Sequence, residues 1–322
     1  MSAIKNRRLV VVSNRLPIVL KRTDGSWSMQ KGSGGLVTAL GTVLKNRGGL
    51  WVGWPGTTET MPISEIKKIM GPFSREIGFR LLPVFLSEKE RDLFYYGLSN
   101  EVIWPLFHDL QTRCHFDPLY WDAYLDVNRR FARAVQRNAE AGDFLWIHDY
   151  HLIPLAGLLN SAGFRGDCSF FLHIPFPPPD IFAKLPWRTE FLHALLHYRF
   201  VGFQTSRDRR NFTDCLRVFF PEARIEGRGP IVRVRASGRE AWAGNLPISV
   251  DAGEFIRLSR SLEVTVKARS IRENLGKKRL LFSVDRLDYT KGIPEKLRAF
   301  RYLLENRPEL RGTVTLLQLL IP

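Results

Sequence analysis

Arg286 and Lys291 stand five residues apart in LLFSVDRLDYTKGIPEKLRAF, where an apolar strand gives way to a turn and then a helix. Two fixed cations beside the positive end of a helix can stabilise negative charge, such as that of a phosphate. The plainer alternative is surface pairing with Asp285, Asp288 or Glu295. Other reactive side chains sit at similar junctions. Ser13, Asn14 and Arg15 close and follow the run LVVVSN, and His148, Asp149, Tyr150 and His151 follow FLWI. His173 lies near the end of SFFLHI, just before PFPPPD, whose prolines stiffen the chain. Gln204 and Thr205 end FVGFQT. His148 and His151 have an i, i+3 spacing that can serve a metal. No thiolate pair, H-E-x-x-H or obvious third ligand accompanies them, so no metal site is expected. A carboxylate such as Asp149 at a strand tip can accept hydrogen bonds from hydroxyls. Glycines 32, 34 and 35 in GSGG precede a helical stretch, where backbone N–H groups and a helix N-terminus suit an anion. Taken alone, GSGG is more simply a flexible turn, and Trp54 and Trp104 are core.

The elements that position these residues alternate. LVVVSN, LWVGW, FLWIHD, SFFLHI and FVGFQT are short apolar runs of the kind buried in parallel sheets. Between and after them come helical patterns, including Gly34–Asn46 with Leu36, Leu40, Val43 and Leu44 on one face, and Tyr124–Asn138 with Tyr124, Val127, Phe131 and Val135. IVRVRASGREAWAG alternates like an exposed strand or hairpin, and Phe255–Lys278 reads as one helix. RLLFSVD, the helix after Tyr289 and TVTLLQLLIP repeat β-α-β. The fold class is therefore α/β, with parallel sheets flanked by helices. Ligands in such folds sit at the carboxyl ends of strands, so the five polar strand tips are expected to form one cleft.

Composition narrows the functions. The chain has 322 residues, 48 basic against 32 acidic, and a formal charge of +16. The densest basic stretch, Arg199 to Arg239, is interrupted by Asp208, Asp214, Glu222 and Glu226, which argues for a solvated surface rather than a nucleic-acid site. Cys114, Cys168 and Cys215 form no CxxC and no disulfide framework, as expected in a reducing compartment. No signal peptide and no membrane span is evident, so the expectation is a cytoplasmic protein without membrane partners.

VVSNRLP, GSGGL, WVGWPG, YYGLSNEVIWPLFH, WIHDYHL, FFLHIPFPPPDIF, GFQT and SVDRLDYTKG occur in an order that resembles the trehalose-6-phosphate synthases, from about Leu9 to Pro322. That family comprises retaining glycosyltransferases of GT-B architecture, two Rossmann-like lobes facing across a cleft. The resemblance implies UDP-glucose as donor and glucose-6-phosphate as acceptor, with no cofactor or metal. It implies that Gly34 and Gly35 meet the donor and that Arg286 and Lys291 hold its diphosphate. His173 and Asp149 would then lie at the reaction centre, with Arg15, Trp54, Tyr95 and Trp104 forming the glucose-6-phosphate pocket. The family pattern Tyr-Tyr-x-Gly-Phe-Ser-Asn, laid without a gap, puts its second tyrosine on Tyr95, with Tyr96 the neighbouring choice. No D-x-D occurs, consistent with cations acting in a metal's place.

Two departures qualify the resemblance. Pro247-Ile248-Ser249-Val250-Asp251 stands where the family usually has Pro-Ile-Gly-Ile-Asp, which adds a Cβ near the hinge between lobes. After LLQLLIP the family continues with a Ser-Arg and later an acidic motif. On this reading residues 1–250 form the acceptor-binding lobe and 251–322 the start of an incomplete donor-binding lobe, and this chain alone transfers no glucose. Two other readings are a non-catalytic chain, either a truncated or decayed fragment or a sugar-phosphate sensor, and a related retaining glycosyltransferase with another acceptor or donor nucleotide. A homo-oligomer is compatible with the sequence, which specifies no number of copies.

Overall fold

In the run Leu9–Val12 every side chain is apolar, so the strand can be buried on both faces. In β1 (Leu9–Arg15) Val10 and Val12 enter one core while Leu9 and Val11 enter another. The computed structural model describes residues 7–32 and 35–321, less the side chains of residues 42 and 45–47. β2 (Ile18–Thr23) and β3 (Ser26–Lys31) form a hairpin that the periodicity did not suggest. Its signal was the Asp24-Gly25 pair, whose φ angles are both positive (50° and 76°), as a tight hairpin turn requires.

β4 (Gly49–Trp54), β5 (Arg80–Pro83), β6 (Phe144–His148), β7 (Asp167–Phe171), β8 (Phe200–Phe203), β9 (Arg224–Glu226), β10 (Ile231–Ala236) and β11 (Arg239–Asn245) join β1 in one sheet. The order is β5-β4-β1-β6-β7-β8-β11-β10-β9. Pairings from β5 through to β11 are parallel, and β10 and β9 add an antiparallel edge. The IVRVRASGREAWAG segment is thus a hairpin with alternating burial, Val232, Val234, Ala236, Ala241 and Ala243 buried on one face and Ile231 and Trp242 exposed on the other.

Helices cover both faces. Pro118–Gln136 packs Tyr124, Val127, Phe131 and Val135 into the core that holds Val10 and Val12. Gly35–Arg47 and Ile63–Ile77 pack Leu40, Leu44, Met70 and Phe73 with Leu9, Val11 and Trp51 on the other. Each such buried side chain contributes about 1.5–3 kcal/mol relative to exposure. The helix expected from Tyr124 begins at Pro118, because Asp117 accepts a hydrogen bond from the Leu119 N–H (2.8 Å) and Pro118 suits the first turn. The single helix expected over Phe255–Lys278 is two, Ala252–Ser259 and Leu262–Leu275. Ser261 interrupts it, its hydroxyl capping the second helix at the Val264 N–H (3.4 Å).

The chain divides into two compact units, Met1–Ser249 and Val250–Pro322. In the second, β12 (Arg279–Arg286) pairs in parallel with β13 (Val314–Ile321), and the helix Ile293–Asn306 lies between them in sequence. No helix among the described residues is long and apolar enough to cross a membrane.

The strand order has a functional consequence. From β1 the chain moves outward to β4 and β5, then returns to the other side of β1 for β6, β7 and β8. β1 and β6 therefore flank the switch point, where an open α/β sheet leaves a crevice beyond its carboxyl ends. Arg15 ends β1 and His148 ends β6, with Asp149 next.

Candidate functional site

Arg15 is exposed at the tip of β1, where the register with β4 shifts. Its guanidinium carbon lies 3.9 Å from the centre of the Trp54 ring and 5.3 Å from that of Tyr95. Trp54 is fixed beneath it, buried and donating from Nε1 to the Thr57 carbonyl (2.7 Å). Ser13 Oγ accepts from Trp51 Nε1 (2.8 Å) and donates to the Arg15 carbonyl (2.7 Å), which holds the backbone. The Arg15 side chain forms no hydrogen bond or ion pair with any other described residue. A cation with five N–H donors on an aromatic platform, without a counter-ion there, is arranged to receive an anion.

Gly56 makes room for it. Its φ is +86°, and a Cβ there would lie 2.6 Å from Arg15 Nη1 and 3.1 Å from Val19 Cγ1. Gly56→Ala is expected to lower stability by about 1–2 kcal/mol, as strained positive φ does. Urea denaturation measures this, and an unchanged midpoint would show that the turn carries no such constraint.

Residues Arg91–Ile103 wind as a π-helix, and the Trp104 N–H still bonds five residues back to the Ser99 carbonyl. Both Tyr95 and Trp104 meet the loop after β6. Tyr95 stacks on His151 at 5.9 Å, and Trp104 lies 6.0 Å from Tyr150 and 4.2 Å from His108. Tyr96 is exposed, with Arg91 over its ring. Tyr150 and His151 stack at 4.0 Å, and their carbonyls accept from Tyr124 Oη (2.6 Å) and Asn128 Nδ2 (3.0 Å). His151 is buried, and burial together with the charge of Arg15 lowers its pKa to about 3, so its imidazole is neutral.

Asp149 has φ 73° and ψ 164°, a region used almost only by glycine and costing about 1–3 kcal/mol. Its N–H donates to the Phe171 carbonyl (2.8 Å), and its Oδ1 accepts from the His173 N–H (3.2 Å), which ties the β6 tip to the β7 tip. Removal from water raises its carboxyl pKa to about 6, opposed by the backbone N–H groups of His173 and Tyr150. His148 Nδ1 and His173 Nε2 are 3.0 Å apart. Burial keeps both rings neutral, His173 down to about 4 and His148 further, with the neighbouring His173 adding to the effect on His148.

The sequence pattern of glycosyltransferase family 20 matches residues 7–322. The chain belongs to glycosyltransferase family 20. It is 40% identical over 319 residues to a trehalose-6-phosphate synthase of Mycobacterium sp. (strain JLS), covering 97% of this chain and 64% of that protein. A UDP-forming alpha,alpha-trehalose-phosphate synthase of Burkholderia xenovorans, solved in complex with glucose-6-phosphate, superposes with a TM-score of 0.81 at 31% identity, covering 97% of this chain and 65% of that one. An E. coli structure bound with UDP-2-fluoro glucose matches with a TM-score of 0.81 at 33% identity, over 97% and 64% of the two chains. This family 20 chain thus spans about two thirds, slightly less, of the length of the relatives it matches.

Within this family 20 chain, Arg15, Trp54, Tyr95, Trp104, Asp149 and His173 come together at the β1, β6 and β7 tips of the first unit. Trp54 is 1% exposed, so it acts on the site through Arg15 and presents no free face of its own. Gly35 opens the helix Gly35–Arg47, and a Cβ there would meet nothing within 4 Å, so packing does not require glycine. Gly34 lies outside the described residues. Arg286 and Lys291 belong to the second unit. Arg286 is 3.2 Å from Asp288, Lys291 is exposed, and Asp285 pairs instead with Lys296 (2.5 Å). Gln204 and Thr205 have structural partners: Gln204 Oε1 accepts from the Ile248 N–H (2.9 Å), and Thr205 caps the helix Ser206–Phe219. Among the described residues no group of three or more His, Cys, Asp or Glu is arranged to hold a metal. Gly56 was not singled out in the sequence, and Tyr150 and His151 were placed at the strand tip with no part in the acceptor pocket. The P-G pair was the only signal for Gly56.

Proposed function

We propose that this chain serves a retaining glucosyl transfer from UDP-glucose to glucose-6-phosphate, yielding trehalose-6-phosphate and UDP. The observation that carries the proposal is Arg15, an exposed guanidinium on the Trp54 platform with no counter-ion among the described residues, at the switch point of the sheet. Arg15 binds the acceptor phosphate through charge-assisted hydrogen bonds, while Tyr95 and Trp104 offer ring faces to the sugar's C–H surface. Asp149 accepts from an acceptor hydroxyl, and His173 holds the donor glucose. The first unit is the acceptor lobe. Within the second unit, Arg286 and Lys291 bind the donor diphosphate.

In the transfer, the acceptor oxygen attacks the anomeric carbon on the face from which the diphosphate departs. The C–O bond to UDP breaks, the new C–O bond forms on the same side, and the departing phosphate oxygen takes the hydroxyl proton. Cations stabilise the leaving charge in place of a metal. No carboxylate serves as covalent nucleophile. A reducing, cytoplasmic setting fits the three free cysteines.

Calorimetric titration of the 322-residue chain tests the acceptor assignment. Glucose-6-phosphate is expected to bind at least about ten-fold more tightly than glucose, since one charge-assisted hydrogen bond is worth ~1.5–3 kcal/mol. Equal affinities would remove the phosphate from the site.

A further inference from the structure

His148 and His173 both bury an imidazole at neighbouring strand tips, and the two rings share one hydrogen bond, Nδ1 to Nε2 at 3.0 Å. Because both rings are neutral, one nitrogen of the pair carries the proton and the other accepts it. The two arrangements are not equivalent. His148 is 1% exposed, and its other nitrogen, Nε2, is buried without a hydrogen-bond partner. If His173 donated, the proton of His148 would sit on that sealed Nε2 as an orphaned N–H. If His148 donates from Nδ1, Nε2 is a bare lone pair, and no donor is stranded. Orphaned buried N–H groups are the rarer of the two defects.

We infer that His148 is a positioning residue: it donates from Nδ1 to His173 Nε2 and so holds His173 as the Nδ1–H tautomer. The His173 Nδ1 makes no hydrogen bond to a described residue and is not sealed from solvent. The pair therefore presents a fixed N–H donor outward from the β7 tip. Three further contacts fix its direction. Phe171 packs against the His173 ring (4.7 Å), Trp146 against the His148 ring (4.6 Å), and Asp149 Oδ1 accepts the His173 backbone N–H. The low pKa values of both rings keep this donor uncharged through the neutral range. A neutral donor recognises a hydroxyl or ring oxygen and does not act as an acid. The tautomer follows from the geometry alone; its use on the donor sugar rests on the glycosyl-transfer reading. A free imidazole favours Nε2–H, so without His148 the donor would move to the nitrogen that faces inward.

Long-range 15N–1H correlation spectra of the full chain labelled at histidine measure the tautomer directly. The expected pattern for His173 is a protonated Nδ1 and an unprotonated Nε2. In His148→Phe, which removes the donor but keeps an aromatic ring, His173 is expected to shift toward Nε2–H. In His148→Asn, whose amide nitrogen can stand near the place of Nδ1, the Nδ1–H pattern is expected to persist. A His173 already protonated at Nε2 in the unaltered protein would overturn the proposal, and would mean that the face of Trp146 satisfies the His148 N–H. An Nδ1–H pattern that survives His148→Phe would overturn it as well. Should His148→Phe fail to fold, the unaltered spectrum and His148→Asn still decide. Because the readout is spectroscopic, loss of sugar binding with the tautomer intact would count against the transferase reading and not against this one.

Discussion

Arg15→Ala is expected to raise the dissociation constant for glucose-6-phosphate by about ten- to one-hundred-fold while leaving the affinity for glucose nearly unchanged. The guanidinium offers a planar fork of donors, and each charge-assisted hydrogen bond to a phosphate is worth ~1.5–3 kcal/mol, of which ~1.4 kcal/mol is already ten-fold. The fold should tolerate the change. Arg15 is exposed and, among the described residues, unpaired, so the loss to the folded state is mainly its contact with Trp54, about 0.5–1 kcal/mol for such a pair. Arg15→Lys should fall between, because an ammonium keeps the charge but not the flat face or the fork. Calorimetry with both ligands separates phosphate recognition from general damage. A glucose-6-phosphate affinity unchanged in Arg15→Ala would remove this side chain from the acceptor pocket.

Asp149→Asn is expected to stabilise the first unit at neutral pH. The folded-state pKa of about 6 lies above the ordinary 3.8, with desolvation the main cause. A raised carboxyl pKa means that folding favours the proton. The penalty for carrying the charge is absent below about pH 4, grows between 4 and 6, and is complete above that. Asparagine keeps an oxygen for the His173 N–H and cannot ionise. Its advantage should therefore reach roughly 2–3 kcal/mol above pH 6 and vanish near pH 4. At pH 7.5 that corresponds to a rise in Tm of roughly 5–10 °C for a unit of this size. Stability is the cleaner readout, because a phosphate monoester itself changes charge near pH 6. A melting temperature that fails to rise at pH 7.5, or rises equally at pH 4, would contradict the assignment. Lost sugar binding in the stabilised variant would identify Asp149 as a residue whose function costs stability, as its glycine-like backbone already suggests.

Much of the fold was legible because its signals are local. Short apolar runs closed by polar residues read as buried parallel strands, and those runs became β1, β4, β6, β7 and β8. Where a local signal was weaker, boundaries moved. Asp117-Pro118 opened a helix six residues earlier than its apolar stripe, and Ser261 split another. The hairpin at Asp24-Gly25 was missed although its turn residues were in view.

The site divides differently. Residue types and their place at strand ends are properties of the sequence, and with motif order they nominated Arg15, Asp149 and His173 as candidates and sufficed to suggest the family. Their proximity is not, because β1, β6 and β7 are far apart in the chain and meet only through the order of strands in the sheet. Tyr95 and Trp104 show the same limit within one helix. Nine residues are two and a half turns of an α-helix and would place them on opposite sides. With the i→i+5 bonding of a π-helix, roughly 4.4 residues per turn, nine residues are about two turns, and both rings face the Tyr150–His151 loop. The raised pKa of Asp149 and the His148–His173 bond belong wholly to the tertiary structure. Desolvation and hydrogen-bond partnership depend on which groups are brought near in space, and a linear chain does not carry that information residue by residue.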